Sequence, residues 1–206
     1  NTSWGKPMKI LAFSDLHHSA TRAEALVEAA QGADLVIGAG DFCNARRGLP
    51  EAMALLDGIT APMVVVPGNA ESDTELKATA RKGIHVLHGE SLEIGGLRLF
   101  GLGYGVPPTP FGSWSCDMSD ADAESLLSPC NSVDILITHS PPKGVADVTS
   151  QGVSVGSTAI RAAIERLQPQ LALCGHIHDS WGQTGQIGET QVVNLGPTPN
   201  WFKIDA

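Results

Sequence analysis

Aspartate, histidine and asparagine recur in five short clusters of this chain, and such side chains hold metal ions: Asp15 with His17, Asp41, Asn69, His139, and His176 with His178. Each cluster follows an apolar run, M-K-I-L-A-F (8–13), L-V-I-G (35–38), M-V-V-V (63–66), V-D-I-L-I-T (133–138) and L-A-L-C (171–174). Aliphatic and β-branched runs closed by turn formers read as buried strands. In open α/β sheets the carboxyl ends of strands are where ligands bind, so side chains from Asp15 to His178 are expected to converge at one sheet edge. Imidazoles, carboxylates and an amide oxygen suit Mn²⁺, Fe or Zn²⁺, and the absence of paired thiolates argues against a structural zinc. Two divalent ions set against two aspartates leave a charge of about +2 to attract a phosphate. Such a pair, about 4 Å apart, can acidify a shared water and clamp a phosphoryl group during in-line displacement.

The elements that must position these residues follow from pattern. Ser19 or Thr21 can cap a helix whose apolar positions Ala23, Leu26, Val27 and Ala30 keep a 3.6-residue period and which stops at Gly32. With the runs on either side it makes a βαβ unit. Helical segments near 51–56 and 73–81 repeat the plan, and others are expected at 119–127 and 157–167. Between residues 84 and 103, short apolar runs around Gly95-Gly96 predict antiparallel pairing. Residues 103–118 are rich in Gly and Pro and carry Phe111 and Trp114, which predicts a long binding loop. The tail from Gln191 to Ile204 reads as a final strand or a hairpin around N-L-G-P-T-P.

Length and composition narrow the class. The 206 residues allow one domain with a substantial core, taken as residues 8–206 after a polar lead-in over 1–7. A net charge of −9 disfavours broad binding of duplex nucleic acid. No apolar stretch approaches the ~18 residues of a membrane span. Cys43, Cys116, Cys130 and Cys174 lack C-x-x-C spacing and are expected to be reduced thiols of a cytoplasmic protein. His85 and His88 receive no role. Cys43 reads as packing.

The ordered set D-x-H, G-D-x-x-N, G-N-x-E, T-H-x-P-P and G-H-x-H, from Lys9 to Pro197, resembles the calcineurin-like metallophosphoesterases. The resemblance implies a four-layer α/β sandwich, two mixed β-sheets flanked by helices. It implies two divalent cations, one held by Asp15, His17, Asp41 and His178, the other by Asn69, His139 and His176, with Asp41 shared. The activity implied is hydrolysis of a small phosphoester by a metal-bridging hydroxide, with a phosphodiesterase leaning. Catalysis is expected to rest on Asp41, Asn69 and His17, with His18 as a substitute proton donor. Two departures stand out: most relatives have His where this chain has Ala70, and many have Asp where it has Asn44. Losing an acid worth about 10²- to 10⁴-fold predicts a preference for good leaving groups.

Arg22, Arg46 and Arg47 follow motif strands and are candidates to grip a phosphate, or solvated loop ends. Asn194-Leu195-Gly196-Pro197 resembles the turn that borders this family's metal centre. Two other functions share the fold, a protein-binding scaffold and a weak nuclease. Trp4, Trp181 and Trp201 are the candidates for a homo-oligomer interface if exposed.

Overall fold

In the computed structural model, which describes residues 6–206, all five motif runs are strands. The chain runs β1 (Met8–Phe13), α1 (Ala20–Ala30), β2 (Leu35–Gly38), α2 (Leu49–Ala54), β3 (Met63–Val65), α3 (Asp73–Thr79), β4 (Ile84–Val86), β5 (Glu90–Ile94) and β6 (Leu97–Leu102). It continues through α4 (Asp120–Leu127), β7 (Ile135–Thr138), α5 (Thr158–Leu167), β8 (Leu171–Cys174), β9 (Thr184–Ile187), β10 (Thr190–Asn194) and β11 (Asn200–Ile204). Trp4 and most of the expected lead-in lie outside the described residues.

Two mixed sheets result. The first has the order β11-β1-β2-β3-β4, parallel except for β11. The second has the order β5-β6-β7-β8-β10-β9, with antiparallel strands only at its edges. Successive strand residues point to opposite faces, which is why both faces of β1 are apolar. Ile10 and Ala12 meet Ile37, Val64, Leu99, Ile137 and Leu173 in a core between the sheets. Leu11 and Phe13 face outward onto Leu26 of α1, Met53 of α2 and Leu76 of α3. On the far side, Phe100, Leu136 and Val192 pack under Leu127 of α4 and Ile160 and Ile164 of α5. The layers are helix, sheet, sheet, helix, as the resemblance implied. Each fully buried aliphatic side chain contributes roughly 1.5–3 kcal/mol, so the strand ends stand on a rigid base.

Helix starts follow local chemistry. Ser19 Oγ accepts from Arg22 N at the head of α1, and Ser72 and Glu75 form a reciprocal capping box on α3. Gly95 and Gly96 both take positive φ in the β5–β6 turn, as a tight hairpin requires.

Three expectations change. Residues 84–86 do not pair antiparallel; β4 lies parallel to β3, closing the first sheet. The tail is not a hairpin, because β10 joins β8 in one sheet and β11 joins β1 in the other. β9, which pairs with β10, was not anticipated at all. Among the described residues no helix is long and apolar enough to cross a membrane.

Candidate metal centre

The carboxyl ends of β1, β2, β3, β7 and β8 meet where the two sheets abut, and the turns leaving them are bonded together. His17 N donates to Asp41 O at 2.9 Å, Asp15 N to Gly40 O at 2.9 Å, and Gly175 N to His139 O at 2.9 Å. The chain must turn sharply to present each side chain. Asp15 (φ 55°), His17 (47°), Asp41 (57°) and His176 (72°) all sit in the left-handed region. Non-glycine residues held there cost on the order of 1–3 kcal/mol each, and such strain collects at functional sites. The neighbouring glycines are steric necessities: a Cβ on Gly68 would overlap Asp41 Oδ1, and one on Gly175 would overlap Ser14 Oγ.

Two ligand groups form. Asp15, His17 and His178 bring donor atoms together in one, and Asp41, His139 and His176 in the other. In the first, Asp15 Oδ1 lies 3.7 Å from both His17 Nε2 and His178 Nε2, and the two imidazole nitrogens are 3.2 Å apart. In the second, His139 Nε2 lies 3.4 Å from Asp41 Oδ2 and 3.1 Å from Asn69 Oδ1. Asp41 Oδ2 is also 3.6 Å from His17 Nε2, so this one oxygen faces both groups. Ligand atoms about 2.1 Å from a common ion stand roughly 3–3.4 Å apart, which is close to the spacing found.

An orphan atom completes the test of fit. Asp15 Oδ2 accepts from Ser14 Oγ (2.5 Å), His176 N (3.1 Å) and Trp181 Nε1 (3.2 Å), while buried Oδ1 has no hydrogen-bond partner. A buried carboxylate oxygen without a donor is costly unless a cation faces it. His139 donates from Nδ1 to Ala39 O at 2.8 Å, which turns its Nε2 inward. Asn69 Nδ2 donates to Ser115 Oγ at 3.1 Å, which turns its amide oxygen inward.

Charge follows the same logic. Burial opposes ionisation of Asp41, but His139, then His17 and His176, hold its carboxyl well below the usual range. Burial likewise disfavours a charged His139, yet Asp41 and then Asp15 raise it to about 10. His176 is pushed down to about 4 by burial and then by His139, leaving a neutral ring with a free lone pair. The two carboxylates call for positive charge, and they raise His178, through Asp15, as well as His139.

All seven expected metal ligands are brought together. His18 is not: it lines an adjacent pocket with Asn44, Arg47 and Trp114, outside the cleft of about 440 Å³ bounded by His17, Asp41, Asn69 and His178. Of the three arginines, Arg46 and Arg22 are engaged within the protein, while Arg47 lines the pocket beside His18. Arg46 Nε pairs with Glu75 at 2.5 Å, and the Arg22 guanidinium stacks 5.5 Å from the Trp181 ring. Asn44 Nδ2 donates to His17 O, Ala70 is buried, and the Cys43 thiol, pushed up to about 12 by burial and then Glu71, is a packing group.

Sequence reasoning missed four supporting residues, one of them Ser115, the partner of the Asn69 amide. Glu71, fully buried, accepts from Asp41 N and Phe42 N, both at 2.8 Å, and from Gly68 N at 2.5 Å, binding the second and third motif turns to each other. The fixed Glu of G-N-x-E was its signal. Trp181 serves Asp15 and packs 4.4 Å from the His178 ring, so it is part of the site. Ser14 donates to Asp15 while its N–H and Oγ bond Gly196, so the Asn194–Gly196 turn borders the centre.

Residues 8–203 match the model of the calcineurin-like phosphoesterase superfamily domain. The chain belongs to this superfamily. Among curated relatives, the UPF0046 protein T07D4.2 of Caenorhabditis elegans is 28% identical over 201 residues, covering 78% of this chain and 50% of that protein. Metallophosphoesterase domain-containing protein 1 of Homo sapiens is 38% identical over 98 residues, covering 44% of this chain and 29% of that protein. The chain thus spans half or less of the length of these curated relatives. The same fold occurs in TT1561 of Thermus thermophilus, with a TM-score of 0.75 at 18% identity over 96% of this chain and 99% of that one. It also occurs in a dimetal phosphatase from Danio rerio, with a TM-score of 0.63 at 13% identity over 94% and 88%.

Proposed function

We propose that the protein is a dinuclear metal-dependent phosphoester hydrolase, a phosphodiesterase acting on small or activated esters. The observation that carries this reading is Asp41 Oδ2, within 3.6 Å of His17 Nε2 and 3.4 Å of His139 Nε2, which joins two ligand groups into one centre. Asp15, His17, Asp41 and His178 would hold one divalent cation, and Asp41, Asn69, His139 and His176 the other, with Mn, Fe or Zn suited to the donors. Such a pair supplies Lewis acidity, polarising the phosphoryl group and acidifying water.

The side chains do the rest. Buried His139 and Asn69 close the back of the centre, while half-open His17 and His178 leave its front to substrate. With Ala70 buried and Asn44 turned onto His17 O, neither offers a proton to the leaving oxygen, so esters of acidic alcohols suit the site. The charge of −9 favours a small phosphoester over a duplex.

The test is a panel of mono- and diesters assayed with Mn²⁺, Fe²⁺, Zn²⁺ and Mg²⁺, alongside metal analysis. About two metals per chain are expected, with turnover removed by chelation and restored by metal. Asp41→Ala should release metal and abolish turnover. Full activity in that variant, or no turnover with any metal, sinks the proposal.

A further inference from the structure

We propose that the apolar cleft beside the ligand cluster is a subsite for a planar aromatic arm of the substrate, an inference that rests on the phosphoesterase reading and narrows it. The cleft holds about 430 Å³ and shares Phe111, Thr149, His176 and Ile177 with the space over the cluster. A molecule whose phosphoryl group lies over the ligands therefore reaches it directly. Its outer wall is the run from Val106 to Pro110, and its inner wall is Val155 and Gly156.

Two of the three hydroxyls in this lining, those of Thr109 and Ser154, already donate within the protein. Ser154 Oγ donates to Asp147 Oδ2 at 2.5 Å, and Thr109 Oγ1 to Asp117 Oδ2 at 2.8 Å. The hydroxyls of a sugar would lose water there without regaining these partners, whereas a ring sheds water at a gain. Charge points the same way. The lining contains no carboxylate, and Lys143, which donates to Ser154 O at 2.6 Å, is its one charged group. An anionic ester meets no repulsion on entry.

At the junction of the two spaces stands Phe111, 53% exposed. Its ring lies near-parallel to Trp114 (interplanar angle 7°, centroids 6.0 Å apart) and edge-on to the metal-ligand candidate His176 (6.4 Å). A large apolar ring left half open beside a ligand cluster is a surface for another ring to cover.

The experiment compares phenylphosphonate with methylphosphonate, which differ in the ring, by calorimetry on Mn²⁺-loaded protein. Phenylphosphonate is expected to bind about tenfold or more tightly, the worth of burying a ring against aromatic and proline faces. Phe111→Ala and Pro108→Ser remove apolar surface at exposed positions without adding charge, and each should reduce that ratio to about twofold or less while methylphosphonate affinity stays within about twofold. Equal affinities in the wild type, or a preference that survives both substitutions, overturns the subsite and leaves the phosphoesterase reading standing. If neither phosphonate binds the metal-loaded protein, both fall.

Discussion

The two halves of the ligand cluster are enclosed to different degrees. His139, Asn69 and Asp41 are buried, with the His139 side chain at 0% exposure, whereas His17 reaches 27% and His178 51%. The tethers of the rings and the amide differ as well, while in both groups the carboxylate is buried and hydrogen-bonded. On the buried side His139 is fixed by Ala39 O at 2.8 Å and Asn69 by Ser115 Oγ at 3.1 Å. On the open side the His17 Nδ1 contact with Cys43 O is longer, 3.3 Å, and His178 rests on the Trp181 ring. Ligands already held in place lose little freedom when an ion arrives, and outer partners commonly contribute 10–100-fold in metal affinity. Metal held by His139 and Asn69 is therefore expected to be retained more firmly than metal held by His17 and His178.

The sharpest way to break this comparison is to remove one imidazole from each half. His139→Ala should weaken its metal by more than about 100-fold, since no water of equal placement replaces a tethered, buried ring. His178→Ala should cost about tenfold, because solvent already reaches that position. Calorimetric titration with Mn²⁺, with a melting curve to check folding, separates the two. Equal losses would show that enclosure does not set the ranking.

A smaller effect isolates the tether itself. Ser115 touches no ligand atom except through the Asn69 amide, and it is held in turn by Asp117 Oδ1 at 2.8 Å and Thr109 at 2.9 Å. Ser115→Ala frees the amide to rotate. It should lower affinity at the buried half about tenfold and leave the open half unchanged, and Ser115→Thr should restore most of the loss. If the open half weakens instead, the hydroxyl is acting on the loop and not on Asn69.

How legible all this was depends on distance along the chain. The motif strands could be read because β-branched runs end in polar turns, and the hairpin at Gly95-Gly96 because its two strands are adjacent. Which sheet a short strand joins depends on partners far away, so the parallel pairing of β4 and the separate destinations of β10 and β11 could not be read locally. The side chains that converge in the cluster were visible as residue types, but their supports were not. Trp181 and Ser115 act on Asp15 and Asn69 through contacts across the fold, and Ser14, although next to Asp15, also bonds Gly196 at the other end of the chain. His18 shows the converse: adjacency to a motif did not bring its side chain into the cleft, because the turn at His17 and His18, both at positive φ, directs it to the pocket beside Arg47.

Behind the buried half lies a last contact whose effect should be small and pH-dependent. Tyr104 opens the long loop and donates from its hydroxyl to Asp73 Oδ1 at 2.7 Å, at the first turn of α3, two residues after Glu71. Burial raises the Asp73 carboxyl, but Tyr104, followed by His88, outweighs it and leaves the group below its ordinary value. A carboxyl lowered on folding stabilises the native state above its unfolded pKa, near about 4, and that contribution fades as pH falls through the folded value. Tyr104→Phe should therefore cost about 1 kcal/mol at pH 7, measured by denaturant unfolding, with the gap from wild type narrowing in acid. A gap that stays constant with pH would mean the hydroxyl matters by packing alone. The same variant also probes the comparison, because slackening this strap should loosen metal at the buried half before the open one, and the reverse order would reassign the loop to the open half.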